Sequence, residues 1–292
     1  MNETDYDCFT WECHENVAHI VLSRPDKRNS MIPAFWRELP KLLRDLDRQG
    51  DVRVIVLSST GPHFSAGMDL QVFNSSPAAA TSEADAPLTQ AQRALKFKET
   101  LKQLQECFTQ LETIRVPVLA AIQGGCIGAG LDLVTACDCR YATSDAYFVI
   151  QETNLAMTAD VGTFPRLCHL LPSGLVRELA YTGRNLSAEE ALSHGLVNAC
   201  FADQDALLEH VMAVAERIAE QAPIAVHGCK RMITYARDHS VSDALDHVGL
   251  WNASMLSHTE ILEAMQAQRA KRKGQFAALP PLASDEDDID LS

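Results

Sequence analysis

None of the nine cysteines forms a C-x-x-C pair; Cys137 and Cys139 are one residue apart, and the count is odd. These spacings exclude the common structural metal motifs and argue against a disulfide framework. Scattered thiols of this kind read as small buried hydrophobes in a reducing compartment. A basic excess is missing too: 25 Lys+Arg stand against 39 Asp+Glu, a formal net charge of −14. Non-specific binding to nucleic acid or to an anionic membrane needs a basic face, and the acidic balance argues against it. A small anionic ligand held by a few local cations is not excluded. The most apolar stretch, Val116 to Val134, is broken by Gln123, Asp132 and four glycines, which makes it a core segment and no membrane span. The opening residues are acidic and polar, unlike a secretory or transit leader, and Ile289-Asp290-Leu291-Ser292 is no peroxisomal tripeptide. Cytoplasm is the expected location, with mitochondrion or peroxisome the alternatives for a eukaryotic source.

What is present is ordinary globular material: 292 residues, 47% hydrophobic and 22% charged. That length buries a substantial core in one large domain or two small ones. Val17 to Leu22, Val52 to Leu57 and Pro117 to Ile122 are apolar runs ended by turn residues, as in buried strands. Ala34 to Arg48 carries a helical stripe of Phe35, Leu39, Leu42, Leu43 and Leu46, with Pro40 expected to kink it. Residues 74–88 are small, polar and proline-punctuated and read as a mobile insertion before a long helix from about Gln90 to Thr113. Cys139 to Ala142 and Tyr147 to Ile150 supply short strands. Ser187 and Glu190 have the spacing of a capping box, and helices are expected over 203–221, 224–237, 241–256 and 258–273. The division that follows is an α/β core over 1–200, a helical module over 201–276 and an acidic, disordered tail over 277–292.

Two glycine-rich turns each follow a strand. One runs from Gln123 through Gly124, Gly125, Gly128 and Gly130 to Asp132, ahead of a helix from about Leu131 to Cys137. Free N–H groups there suit a phosphate or an oxyanion. No Gly-Lys-[Ser/Thr] follows, so it is no P-loop, and the G-x-G-x-x-G spacing of a dinucleotide site is absent. The other turn is Phe64-Ser65-Ala66-Gly67-Met68-Asp69-Leu70. Two such turns, each aiming one N–H at a common point, make a two-donor oxyanion hole. Asp132, Glu152 and Asp160 are the acids nearest the first loop, and each also has a structural explanation. An acid is favourable in a helix first turn, as at Asp132, a loop charge is commonly solvated, as at Glu152, and an aspartate such as Asp160 caps a helix.

From Val17 to Phe276 the chain resembles the crotonase (enoyl-CoA hydratase/isomerase) superfamily. The matching pieces are Arg24 to Met31, Phe64 to Leu70, Gly124 to Asp132, Cys137 to Ala142 and Ala188 to Val197, in this order. The resemblance implies a spiral of ββα repeats with a helical C-terminal trimerisation module. It further implies homotrimers or homohexamers, an acyl-CoA thioester substrate, and no metal or redox cofactor. Hydratases of the superfamily carry two glutamates about twenty residues apart. Here those positions hold Asp132 and Glu152, and Asp160 stands where hydratases usually have glycine. This pattern, together with Ala34 to Leu39, Gly124 to Gly128, Ala159 to Thr163 and Arg237 to Val241, is similar to the Δ3,5-Δ2,4-dienoyl-CoA isomerases.

By the match, the backbone N–H groups of Met68 and Ala129 hold the thioester oxygen. Ala129 stands where glycine is usual and requires a negative φ. Ser65, Ala66, Gly67, Asp69, Leu70 and Gly128 line the substrate. Glu152 takes the C2 proton and Asp160 returns one at C6, because one carboxylate cannot serve atoms four bonds apart. To donate at neutral pH, Asp160 must be kept protonated by burial and nearby negative charge, part of it from Asp132. Arg28, Lys230, Lys273 and Phe276 are the CoA-binding candidates, the last packing on adenine from a neighbouring subunit. The rivals are an enoyl-CoA hydratase using Asp132 and Glu152, a non-catalytic acyl-CoA-binding or RNA-binding relative, and a thioesterase or dehalogenase-like member.

Overall fold

A computed structural model describes residues 6–69 and 88–282. Leu70, the expected insertion apart from Leu88, and the acidic tail beyond Leu282 lie outside the described residues. Six strands form the larger sheet, in the order β1 (Phe9–His14), β2 (Val17–Leu22), β3 (Val54–Ser59), β4 (Val118–Ile122), β6 (Cys139–Thr143), β9 (Ala199–Phe201). β1 and β2 are an antiparallel hairpin, and every other pairing in this sheet is parallel. All six residues of β3 are buried, and five-residue β4 is likewise sealed, as expected of parallel strands covered on both faces.

The smaller sheet contains β5 (Gly125–Ile127), β7 (Tyr147–Val149) and β8 (Leu186–Ser187). Each repeat therefore sends its first strand to the larger sheet and its second to the smaller one: β4 then β5, β6 then β7. Single bridges Met31↔Met68 and Ser65↔Cys126 extend the second layer backward along the chain. This is the spiral of ββα repeats, and it stacks the segments after β2, β3, β4 and β6 beside one another.

Helix α1 (Pro33–Arg48) starts on a proline and runs through Pro40 as one helix, burying Phe35, Leu39, Leu42, Leu43 and Leu46. α2 (Gln90–Thr113) opens with a capping box between Thr89 and Gln92 and buries only its far end, at Cys107, Phe108 and Leu111. α3 (Ala129–Thr135) is buried throughout. α4 (Thr163–Leu170), α5 (Ser173–Thr182) and α6 (Ala188–Ser193) follow, the last with both bonds of the Ser187–Glu190 capping box. α7 (Gln204–Ala219) lays Leu207, Val211, Ala215 and Ala219, one helical stripe, over Val17, Val54, Val56, Leu119 and Ala121. Residues just past 200 thus belong to the packing of the sheet. α8 (Pro223–Asp238), α9 (Val241–Met255) and α10 (His258–Ala270) are the remaining described helices. Beyond them Leu279 is buried, the Pro280 carbonyl accepts from Arg115 and Leu282 N–H donates to the Arg48 carbonyl, so the expected tail from 277 is packed as far as Leu282.

Two expectations are corrected here. Gly125 to Ile127 is strand, not turn, because Tyr147 to Val149 offers a parallel partner. Of the nine free thiols, Cys13, Cys168 and Cys229 are exposed, whereas Cys8, Cys107, Cys126 and Cys137 are buried as expected. Burial pushes the Cys107 and Cys137 thiols up to about 12.

Candidate active site

The turn after β3 is built by the segment after β2. Asn29, buried in a left-handed conformation (φ 52°), donates its amide to the carbonyls of Thr60 and His63. The carbonyl of Arg28 accepts from Ala66 N–H at 2.8 Å. Ser65 Oγ donates to the Asn29 carbonyl (2.9 Å) and accepts from Gly67 N–H (3.1 Å). Gly67 has φ 80°, and a Cβ there would lie 2.6 Å from the Ile127 carbonyl oxygen and 3.1 Å from the Ala129 nitrogen. Only glycine allows so close an approach at that φ. The two glycine turns, far apart in sequence, meet at this point.

On the other side, Gly128 (φ 52°) donates to the Val149 carbonyl and accepts from the N–H groups of Leu131 and Asp132. Ala129 begins α3 and is not among the described residues with positive φ, so the alanine meets its conformational requirement. As the first helical residue it has no intrahelical acceptor for its N–H. Among the described residues the Met68 N–H donates to no backbone carbonyl either.

Met68, Ala129, Asp132, Glu152 and Asp160 all line one cavity of about 460 Å³. Its remaining walls are mostly apolar: Phe97, Leu101 and Leu104 from α2, then Leu155, Met157 and Val161. A long helix from about Gln90 to Thr113 was expected from the sequence; its facing the site was not.

The three acids sit in different surroundings. Asp132 is 1% exposed, and its Oδ1 accepts from Thr163 Oγ1 at 2.6 Å. Its Oδ2 is buried with no partner among the described residues. Burial, opposed by the Thr163 hydroxyl and reinforced by Glu152, pushes its carboxyl up to about 7. Glu152 is half-buried at the start of a short 3₁₀ turn (Glu152–Leu155), and its Oε2 also lacks a partner. Its Oε1 is 3.3 Å from where a Cβ on Gly128 would sit, against the loop that precedes Ala129. Burial raises the Glu152 carboxyl, and the charge of Asp160 adds to that. Asp160 is exposed; partial burial raises its carboxyl, and Gln105 of α2 holds its carbonyl at 2.7 Å. It does not cap α4, whose N-cap is Gly162. The acid most strongly driven to keep its proton is therefore Asp132, not Asp160. Thr163 had no role assigned from sequence, although its place at the start of a helix after Gly162 marked it.

The CoA candidates separate. Arg28 is exposed beside the Ala66 turn. Lys230 is withdrawn: it is 6% exposed, and its Nζ donates to the carbonyls of Leu111 (2.6 Å) and Val116 (2.9 Å) and to Asp138 Oδ2 (2.9 Å). Lys273 pairs with Glu220 at 2.8 Å, and the Phe276 carbonyl accepts from Arg53. Arg53 precedes β3, whose other end leads to the Gly67 turn. At about 3.3 Å per residue, a strand's length separates both from the cavity of their own chain. Ser65, Ala66, Gly67, Asp69 and Gly128 lie on or beside the two turns; Ala66, Gly67 and Gly128 line the cavity directly. No helix of the described residues is long and apolar enough to cross a membrane.

Comparison with known proteins adds the following. The family model for enoyl-CoA hydratase/isomerase matches residues 12–278. The chain is 42% identical to the mitochondrial Δ(3,5)-Δ(2,4)-dienoyl-CoA isomerase of Mus musculus, over 88% of this chain and 78% of that one. It is 40% identical to the peroxisomal enzyme of that name from Arabidopsis thaliana, covering 90% and 94%. Among solved structures, enoyl-CoA hydratase from Bacillus anthracis superposes with a TM-score of 0.81 at 29% identity, covering 92% of this chain and 99% of that one.

Proposed function

This chain belongs to the enoyl-CoA hydratase/isomerase family, and on that premise we propose that it is a Δ3,5-Δ2,4-dienoyl-CoA isomerase of fatty-acid β-oxidation. The observation that carries the reading is the meeting of three carboxyls and two unengaged backbone amides on one apolar cavity. A 3,5-dienoyl thioester is acidic at C2 because the anion spreads over the carbonyl oxygen, C2, C4 and C6. Glu152 takes that proton. The N–H groups of Met68 and Ala129 stabilise the oxygen as its charge develops, each such donor contributing roughly 3–4 kcal/mol. Asp160, on the same cavity and protonated at the start, delivers its proton to C6 and leaves the conjugated 2,4-diene. Glu152 then releases the C2 proton to solvent and exposed Asp160 takes one up, which resets the pair.

With its carboxyl pushed up to about 7, Asp132 is only partly ionised at neutrality and limits a second negative charge beside Glu152. The residues complete this proton transfer by themselves and call on no cofactor; coenzyme A is part of the substrate. Arg28 is positioned for a CoA phosphate from within the same chain. Lys273 and Phe276 enter this reading only from a neighbouring copy in a homotrimer or homohexamer. Exposed Ile233, Val241, Leu245 and Leu250 on α8 and α9 support such an assembly. The names of the relatives carry a mitochondrial or a peroxisomal location; the site itself asks only for a compartment that holds acyl-CoA thioesters.

One observation favours a second reading. Among the described residues, Asp132 Oδ2 and Glu152 Oε2 are both buried without partners, on side chains that line the same cavity, a pair able to hold a water for hydration of a 2-enoyl thioester. Supplying 3,5-dienoyl-CoA and 2-enoyl-CoA in parallel separates the two. Growth of conjugated-diene absorbance with the first and no 3-hydroxyacyl product from the second is the isomerase result. The reverse pattern replaces it with the hydratase.

A further inference from the structure

Asp132 is gripped by a residue that does not touch the cavity. Thr163 is 1% exposed, opens α4, and is absent from the cavity wall. Its hydroxyl lies 2.6 Å from Asp132 Oδ1 and has no second partner among the described residues. A hydroxyl has one hydrogen to give, and a buried one left undonated is costly. Donation to Oδ1 satisfies it and occupies that oxygen, so the proton of neutral Asp132 resides on Oδ2. Oδ2 is the buried, unpartnered oxygen of a side chain that lines the cavity.

Thr163 is itself held firmly. Three residues on, Arg166 is 8% exposed and pairs with Glu112 of α2 at 2.8 Å, and Glu112 also pairs with Arg237 of α8. Arg166 further donates to Thr109 Oγ1 at 3.1 Å. The first turn of α4 is thus pinned to two other helices, and a pinned donor fixes the geometry of what it holds. We propose that Thr163 is a positioning residue that ties Asp132 Oδ1 to the protein and leaves the carboxyl's proton on the unpartnered Oδ2, on a side chain that lines the substrate cavity with Glu152.

The titratable groups around Asp132 are Glu152 from the 3₁₀ turn, Asp160 from the following loop, Arg166 from α4 and Cys126 from β5. Glu152 favours the neutral carboxyl and Arg166 the charged one, but the Thr163 hydroxyl is the strongest influence opposing burial. Its removal should therefore leave Asp132 protonated to higher pH. The proton's part in turnover rests on the isomerase reading; the grip on Asp132 does not, and the test keeps the two apart.

In ligand-free protein, carbon-13 NMR of the aspartate carboxyls follows the Asp132 midpoint directly. Thr163→Val, which keeps the shape and loses the donor, should move that midpoint up by about one pH unit, the effect of one lost hydrogen bond. Thr163→Ser, which keeps the donor, should hold it in place. If Thr163→Val does not fold, Thr163→Ala against Thr163→Ser carries the same comparison. With 3,5-dienoyl-CoA, the pH profile of kcat should shift with the midpoint while KM stays within about two-fold. A folded variant without the hydroxyl whose midpoint is unmoved overturns the assignment, even in an active isomerase. So does a serine variant displaced as far as the valine one. A midpoint that responds in a chain that never isomerises a dienoyl thioester upholds the assignment and refutes the isomerase reading instead.

Discussion

The cavity has a sealed end and an open end, and they treat the same side chain differently. At the sealed end, Asp132 is 1% exposed on a fully buried helix, with one oxygen bonded and the other buried without a partner among the described residues. At the open end, Asp160 is exposed on a loop under the solvent-facing half of α2, where Phe97 is 64% exposed. Removing water from around a carboxyl disfavours its charged form far more than a distant like charge does. Burial carries Asp132 to about 7, whereas Asp160 is raised by partial burial alone. Proton storage therefore belongs to the sealed end and exchange with solvent to the open one.

The comparison breaks most visibly at the reacting carboxyls. Glu152→Gln and Asp160→Asn should each cut kcat by roughly 10²- to 10⁴-fold while leaving acyl-CoA affinity close to normal. Steady-state kinetics with a calorimetric affinity check this, and near-normal turnover in Asp160→Asn ends its role at C6.

Next in size is a contrast between lysines. Lys230→Ala strands Asp138 and two buried carbonyls and should cost about 3–5 kcal/mol of stability, with acyl-CoA affinity of the folded protein unchanged. Denaturant unfolding measures the first and calorimetry the second; a large affinity loss without destabilisation would restore Lys230 as a CoA ligand.

The third prediction sharpens the sealed end. The native state holds the Asp132 proton up to about 7 and the unfolded chain only to the ordinary value of 3.8. Native protein thus binds more protons in between, so this group's contribution is full below about pH 4 and is lost as pH rises to about 7. Asp132→Asn, which keeps an acceptor for Thr163, removes that loss. It should gain on the wild type between pH 5 and pH 8 by at most about 3 kcal/mol, read from unfolding curves. Parallel curves would show that Asp132 is ionised in both states. The smallest effect is at the open end: Phe97→Ala should raise KM for long acyl chains several-fold, about 1 kcal/mol, and spare kcat. An unchanged KM would put the acyl chain elsewhere.

Much of this was legible in advance. The buried strands, the stripe of α1, the Ser187–Glu190 box and the four C-terminal helices follow from periodicity and turn chemistry within short windows. Both glycine turns and all three acids were identifiable by type and spacing. The strand at Gly125 to Ile127 was not, because glycine has poor strand propensity and only the Tyr147 to Val149 partner makes it one. Lys230 and Lys273 look alike as letters; one is buried among carbonyls and the other pairs at the surface. Thr163 bonds a residue thirty-one positions away, a distance no local pattern spans.

Sequence alone therefore determined which chemical groups this protein owns and the elements that carry them, since both depend on neighbours a few residues apart. Tertiary structure decided which acid is pushed to hold its proton, which cation is spent on the core, and that Met68 and Ala129 line one cavity. Those outcomes depend on solvent exclusion and on close backbone approach between distant segments, and neither exists until the layers have packed.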